Sequence, residues 1–181
     1  MRLSRVLAAP AAAGIMVLAQ TAGIGPAQAA TTDLACNYDF SSFNACLNIT
    51  PIGLNQWNVH VGLDAVMSQR NAQEIIDDGA VFRATLYGDD GGGRRQFLTS
   101  LTLMPGWPAA GPEGLGAELS ANVRGSILDE DKNDEDEIFA EISYFDFHKD
   151  EVVKHVTGTV HGEFAEVTEG GGGGGCFVVC S

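Results

Sequence analysis

Apolar residues recur at every second position through most of the chain between Cys46 and the glycine run that opens at Gly170. A helix repeats its faces every 3.6 residues and cannot bury such a pattern on one side, whereas a strand sends successive side chains to opposite faces. In QWNVHVGLDA, Trp57, Val59, Val61 and Leu63 share one face, and Asn58 and His60 take the other. In AVFRATLYG, Phe82, Ala84 and Leu86 read inward while Arg83, Thr85 and Tyr87 read outward. RRQFLTSLTLMP alternates less cleanly, GAELSANVRGSIL aligns Leu119, Ala121 and Val123, and VVKHVTGTVHGEF sets Val152, Val156, Val160 and Phe164 against Val153, His155, Thr157, Thr159 and His161. Strands with one apolar face belong in antiparallel sheets. Turn-forming stretches (YGDDGGGRR, MPGWPAAGPEGLG, FHKDE) separate them at the intervals of a sandwich or small barrel. The fold class expected is therefore all-β, an antiparallel β-sandwich or small barrel with its strands between about residues 36 and 166, interrupted by one short helix. Ser68 can cap the start of that helix, Ala72, Ile75 and Ile76 supply its apolar stripe, and Gly79 can end it.

The domain organisation follows from the two ends of the chain. Arg2 and Arg5 precede an apolar stretch broken by Pro10 and Gly14, and Ala27 and Ala29 flank Gln28 in the arrangement read by signal peptidase. Residues 1–29 are thus expected to be a signal peptide, residues 30–169 the β domain, and residues 170–181 a Gly-rich tether with a Cys tail. Alanine and glycine usage together with this leader resembles, in style, exported proteins of high-GC Gram-positive bacteria. The expected location is secreted, extracellular. Removing the leader takes away two arginines and no acids, which moves the formal charge from -14 to -16. Such a charge repels phosphates and anionic lipid, so the reading is no nucleic acid and no stable membrane insertion. In an oxidising compartment Cys36, Cys46, Cys176 and Cys180 are expected to form disulfides, and their spacing favours the local pairs. No C-x-x-C motif supports zinc.

The segment ILDEDKNDEDEIFAEI places seven carboxylates in the nine positions from Asp129 to Glu137. Unit charges about 5 Å apart repel by ~1–3 kcal/mol per pair at effective dielectric constants between about 80 and 20, so either a cation gathers these groups or water solvates them. Asp129, Asp131 and Asn133 match the first three ligand positions of an EF-hand loop. The pattern then breaks, with Asp134 at the turn glycine and Ala140 at the bidentate glutamate. A calcium loop between strands remains, and Asp129, Asp131, Asn133, Asp134 and Asp136 are its candidate ligands. The stretch ILDEDKNDEDEIF resembles the third loop of the calcium-dependent sandwich domains of the synaptotagmin and perforin type. That resemblance implies a second loop at the same end donating further aspartates, for which YGDDGGG offers Asp89 and Asp90. The spacing to the last aspartate and the polybasic strand of that family are not reproduced, so membrane binding is not carried over. The cofactor expected is calcium, and the alternative is a solvated acidic turn that keeps a sheet edge soluble.

Support for catalysis is thinner. Neither H-E-x-x-H nor G-x-S-x-G occurs, and His155 and His161 stand about 20 Å apart along any strand that holds both. Recognition is better served. EIFAEISYFDF is apolar on both faces, with Ile138, Ala140, Ile142 and Tyr144 on one and Phe139, Phe145 and Phe147 on the other. This describes either a central strand covered on both sides or an aromatic platform for a protein or carbohydrate ligand. Trp107, in a proline-stiffened loop, and Tyr87, on an outward row, are the candidate ligand-binding aromatics. Three readings stand: a calcium-stabilised secreted binding module, a small secreted inhibitor or interaction protein using its acidic surface, and an extracellular hydrolase.

Overall fold

Alternation of this kind leaves a row of unpaired backbone groups on each strand edge, and the chain satisfies them by laying strand against strand into one antiparallel sheet. The computed structural model describes residues 33–39, 42–89, 94–129 and 135–164. Ten strands are present there: β1 (Asp33–Asp39), β2 (Phe43–Gly53), β3 (Gln56–Val66), β4 (Arg83–Asp89), β5 (Arg95–Leu103), β6 (Ala109–Gly111), β7 (Gly114–Arg124), β8 (Asp136–Asp146), β9 (Glu151–Val156) and β10 (Val160–Gly162). Two short helices join them, α1 (Gln69–Asp77) and α2 (Gly125–Leu128). The sheet order is β1-β2-β3-β7-β5-β4-β8-β10, with β6 added beside β7 and β9 beside β8. The antiparallel all-β expectation is met by a sheet curled into a half-barrel.

The curl divides the sheet into two halves. β5 joins them through two pairings, Thr102 with Ser120 and Leu103 with Leu119. On the opposite side they meet through side chains, where Asn37 Nδ2 donates to Val156 O at 3.1 Å and Phe43 packs on His155 with centroids 4.4 Å apart. The inward rows are those the alternation named. Val59, Val61 and Leu63 of β3, Leu119 and Val123 of β7, Ala84 and Leu86 of β4, and Ile138, Ala140, Ile142 and Tyr144 of β8 form one buried cluster. Burial pushes the Tyr144 hydroxyl up to about 12, with Asp146 and Glu151 adding to the shift. The inward row of β8 begins and ends in a buried carboxylate. Asp136 Oδ2 accepts from Phe164 N at 3.3 Å, and Asp146 Oδ1 accepts from His148 N at 3.0 Å.

The helix α1 forms where the capping residues place it. Ser68 accepts from Asn71 N, and Ala72 and Ile75 are buried. Gly79, at φ 79°, lets Gly79 N reach Ile76 O and Ala80 N reach Ile75 O, which satisfies two carbonyls that the helix end leaves open.

Two segments depart from simple alternation. The run GAELSANVRGSIL ends as strand at Arg124, and Gly125–Leu128 turns into a single helical turn that buries Leu128. Gly125 permits this because a Cβ there would collide with Phe164 O. The run VVKHVTGTVHGEF is two strands and not one. Thr157 between them donates its N–H to Ala140 O and accepts from Ala140 N on Oγ1, both at 3.0 Å. This break shifts the parity, so that Val153 and His155 of β9 turn towards the core while Val152 is exposed, and β10 buries Val160.

Candidate functional site

The two acidic segments join the sheet at neighbouring strand ends. β4 and β8 run antiparallel with Gly88 opposite Ile138. Asp89, next along β4, and Glu137 and Asp136, which precede Ile138, therefore lie at the same end of adjacent strands. Asp89 is half-buried, and its Oδ1 is cut off from solvent without a hydrogen-bond partner among the described residues. An unpaired carboxylate oxygen in such a place is costly unless a cation or donor faces it. Its ladder partner Arg95 directs its guanidinium elsewhere, over the Phe139 ring at 5.0 Å and towards Glu141 Oε2 at 3.5 Å. Asp129 caps α2 and is half-buried, its N–H bonded to Gly125 O at 2.8 Å. Asp136 faces inward onto Phe164 N. Glu137 pairs with His161 Nδ1 at 3.6 Å on the surface. The expected ligands Asp90, Asp131, Asn133 and Asp134 lie outside the described residues. Among the described residues, no three His, Cys, Asp or Glu side chains stand close enough together to hold a metal ion.

Beside this acidic end, the outer surface of β5, β4 and β8 carries an aromatic row. Tyr87 stands opposite Phe97 on one side and Phe139 on the other. The rings of Tyr87 and Phe139 stack at 5.6 Å, and Phe97 is 61% exposed. Phe139, although on the outer face, is only 5% exposed. Below the row, Lys154 Nζ reaches Glu141 Oε1 at 2.7 Å, so Glu141 is held between Lys154 and Arg95. Flat rings bordered by hydrogen-bonding charges suit ligands that combine apolar faces with polar edges. The alternation marked Tyr87 as outward. The sequence did not show that Phe97 and Phe139 share its row, because that depends on register across three strands.

Trp107 belongs to a different place. Its peptide bond to Pro108 is cis, and its half-buried ring lies on Gly116 of β7, where a Cβ would stand 2.7 Å from Cζ3. Cys36 and Cys46 face each other across β1 and β2 and form a disulfide. Cys176 and Cys180, and the leader, are outside the described residues. One side-chain pair is not legible in the sequence: Glu118 of β7 and His60 of β3, whose atoms Oε2 and Nε2 are 2.5 Å apart on the outer face. They are distant in sequence, and only the pairing of β3 with β7 brings them together. Comparison with known proteins finds no matching family model, no similar curated protein and no similar solved structure.

Proposed function

We propose that the chain is a secreted, acidic binding module whose acidic end takes calcium and whose neighbouring aromatic row meets a protein or carbohydrate ligand. The observation that carries this reading is the adjacency of the β4 and β8 ends, with Asp89 Oδ1 cut off from solvent and without a hydrogen-bond partner among the described residues. Asp90, Asp131, Asn133 and Asp134 then supply the remaining oxygens from the segments that follow Asp89 and precede Asp136. Calcium takes 6–8 oxygen ligands, and extracellular modules work with dissociation constants of roughly 10⁻⁴–10⁻³ M. The Cys36 to Cys46 disulfide supports an oxidising location.

Calorimetric titration of the chain with calcium, paired with melting curves with and without chelator, tests the reading. Saturable heat is expected, with a stabilisation of about 1.4 kcal/mol at calcium near ten times the dissociation constant. Asp89→Asn should remove both signals. A chain that gives no saturable heat, and melts at one temperature with or without chelator, would leave the acidic end as a solvated surface.

A further inference from the structure

The outer face of β5, β4, β8 and β9 carries more than its aromatic row. Along β8 the outward positions read Phe139, Glu141, Ser143 and Phe145, and the ladder with β9 sets Lys154 beside Ser143 and Val152 beside Phe145. Arg83 of β4 stands on the other side of Ser143. A second apolar group therefore lies at the far end of the face, where Phe145 and Phe147 meet edge-on at 4.8 Å and Phe147 and Val152 are 50% and 57% exposed. From Phe139 to Phe145 the extended strand covers about 20 Å. Positive charge fills the interval. Arg95 Nη1 and Lys154 Nζ share the one carboxylate of Glu141, at 3.5 and 2.7 Å, and exposed Arg83 has no ion pair among the described residues. The chain holds 24 acidic and 10 basic side chains, so a face on which cations outnumber the carboxylate between them stands apart from the rest.

Ring geometry and the spacing of the apolar groups choose the occupant. Tyr87 and Phe139 stack on each other and Arg95 lies over the Phe139 ring, so Phe97 is the ring left most open to a sugar. Apolar groups about 20 Å apart exceed the reach of one small molecule, and exposed apolar side chains rimmed by charge are the mark of a protein contact. The surplus of cations asks for carboxylates on the partner. We propose that this face docks an extended acidic segment of a partner protein, with an apolar side chain at each end and carboxylates between. The apolar ends sit on Phe97 and Tyr87 and on Phe145, Phe147 and Val152, and the carboxylates meet Arg83 and Lys154. The negative charge of the whole chain opposes an acidic partner at long range, but salt screens that repulsion beyond about 8 Å, while Arg83 and Lys154 act in contact. The proposal rests on the reading of the aromatic row as a ligand surface, and it does not rest on calcium.

The test is an amide-resolved NMR titration of the full chain, in chelator and in calcium. The probe is a blocked peptide of about seven residues, enough to span about 20 Å when extended, with leucine at both ends and aspartates at alternate positions between. The Tyr87, Phe97, Ser143 and Val152 amides should shift saturably in chelator as in calcium, with a dissociation constant on the order of 1 mM. Asparagine in place of the aspartates should weaken binding about tenfold. Arg83→Gln should weaken the aspartate peptide about fivefold and leave the asparagine peptide unchanged. Phe97→Ser and Val152→Ser, at positions already exposed, should weaken both peptides with the rest of the spectrum retained. Binding in chelator supports the proposal even where calcium gives no heat. Cellohexaose shifting the same amides more tightly than the aspartate peptide would overturn it and keep the aromatic row as a ligand surface, whereas silence with peptide and sugar alike would remove that surface too. Equal affinity for the aspartate and asparagine peptides, or a dimer in sedimentation that Phe97→Ser disperses, would also overturn it, the dimer by giving the face to a second copy.

Discussion

The two halves of the curled sheet share one interior and differ on their outer faces. Inside, both contribute branched aliphatic side chains to a single cluster. Outside, the β2, β3 and β7 face is built from short polar groups, where Thr50 donates to Asn48 and Asn58 donates to Asn122, both at 2.9 Å. The β5, β4 and β8 face is built from rings and long charged chains. Short amides keep close to the backbone, and the Glu118 carboxyl folds down over Gly62. Rings stack across strands and fill the equivalent space, so Phe139 is nearly as hidden as a core residue. The lesson is that alternation fixes the inner face, while the outer face is free to be specialised separately in each half.

The strongest way to break the idea of a single shared interior is Phe164→Ala. Phe164 is 1% exposed, meets Trp57 of β3 edge-on at 5.0 Å, and bonds through its N–H to Asp136 of β8, so it ties one half to the other. Urea denaturation should show a loss of about 3–5 kcal/mol. A loss below about 1 kcal/mol would mean that the halves are stabilised separately.

A matched pair of substitutions sharpens the contrast between the outer faces. Phe139→Ala should cost about 2 kcal/mol or more, because it removes a ring packed under Tyr87 and Arg95. Asn58→Ala, which loses one exposed side-chain bond, should stay within about 0.5–1 kcal/mol. Equal costs would erase the distinction.

The smallest expected effect lies at the side where the halves meet without a ladder. His155 is half-buried between Phe43 and Tyr144, its Nε2 has no partner among the described residues, and burial lowers its pKa. The unfolded chain, with a histidine pKa of about 6.5, then binds the proton more readily than the folded one. The contribution of neutral His155 is complete above about pH 6.5 and is lost as pH falls from there through the lowered folded value. Melting temperature should decline on acidification in that window, and less steeply in His155→Phe. Parallel pH profiles for the two chains would remove His155 from the account.

Much of this was legible in the alternating segments. Trp57 to Leu63 and Phe82 to Leu86 face as their parity requires, and Ser68 and Gly79 bound α1 as their capping chemistry requires. Parity failed where the chain broke it locally. Thr157 substitutes its hydroxyl for a ladder acceptor and resets β9 against β10, and Gly125 replaces an extended step with a helical turn. Neither break changes the count of apolar residues, so a pattern of types alone cannot register it. The sites were less legible still, since Tyr87 with Phe139, and His60 with Glu118, each join strands far apart in the chain.

By itself, then, the order of residues determined that this chain makes antiparallel strands, which side of each is apolar, and where its charge and cysteines concentrate. Those are properties of neighbours one or two positions apart, governed by backbone geometry and burial. Tertiary structure alone decided that β4 lies beside β8 and β3 beside β7, and hence which outward side chains stand together. Register couples residues through the whole sheet at once, so the contacts that give each outer face its chemistry exist only when the sheet is assembled.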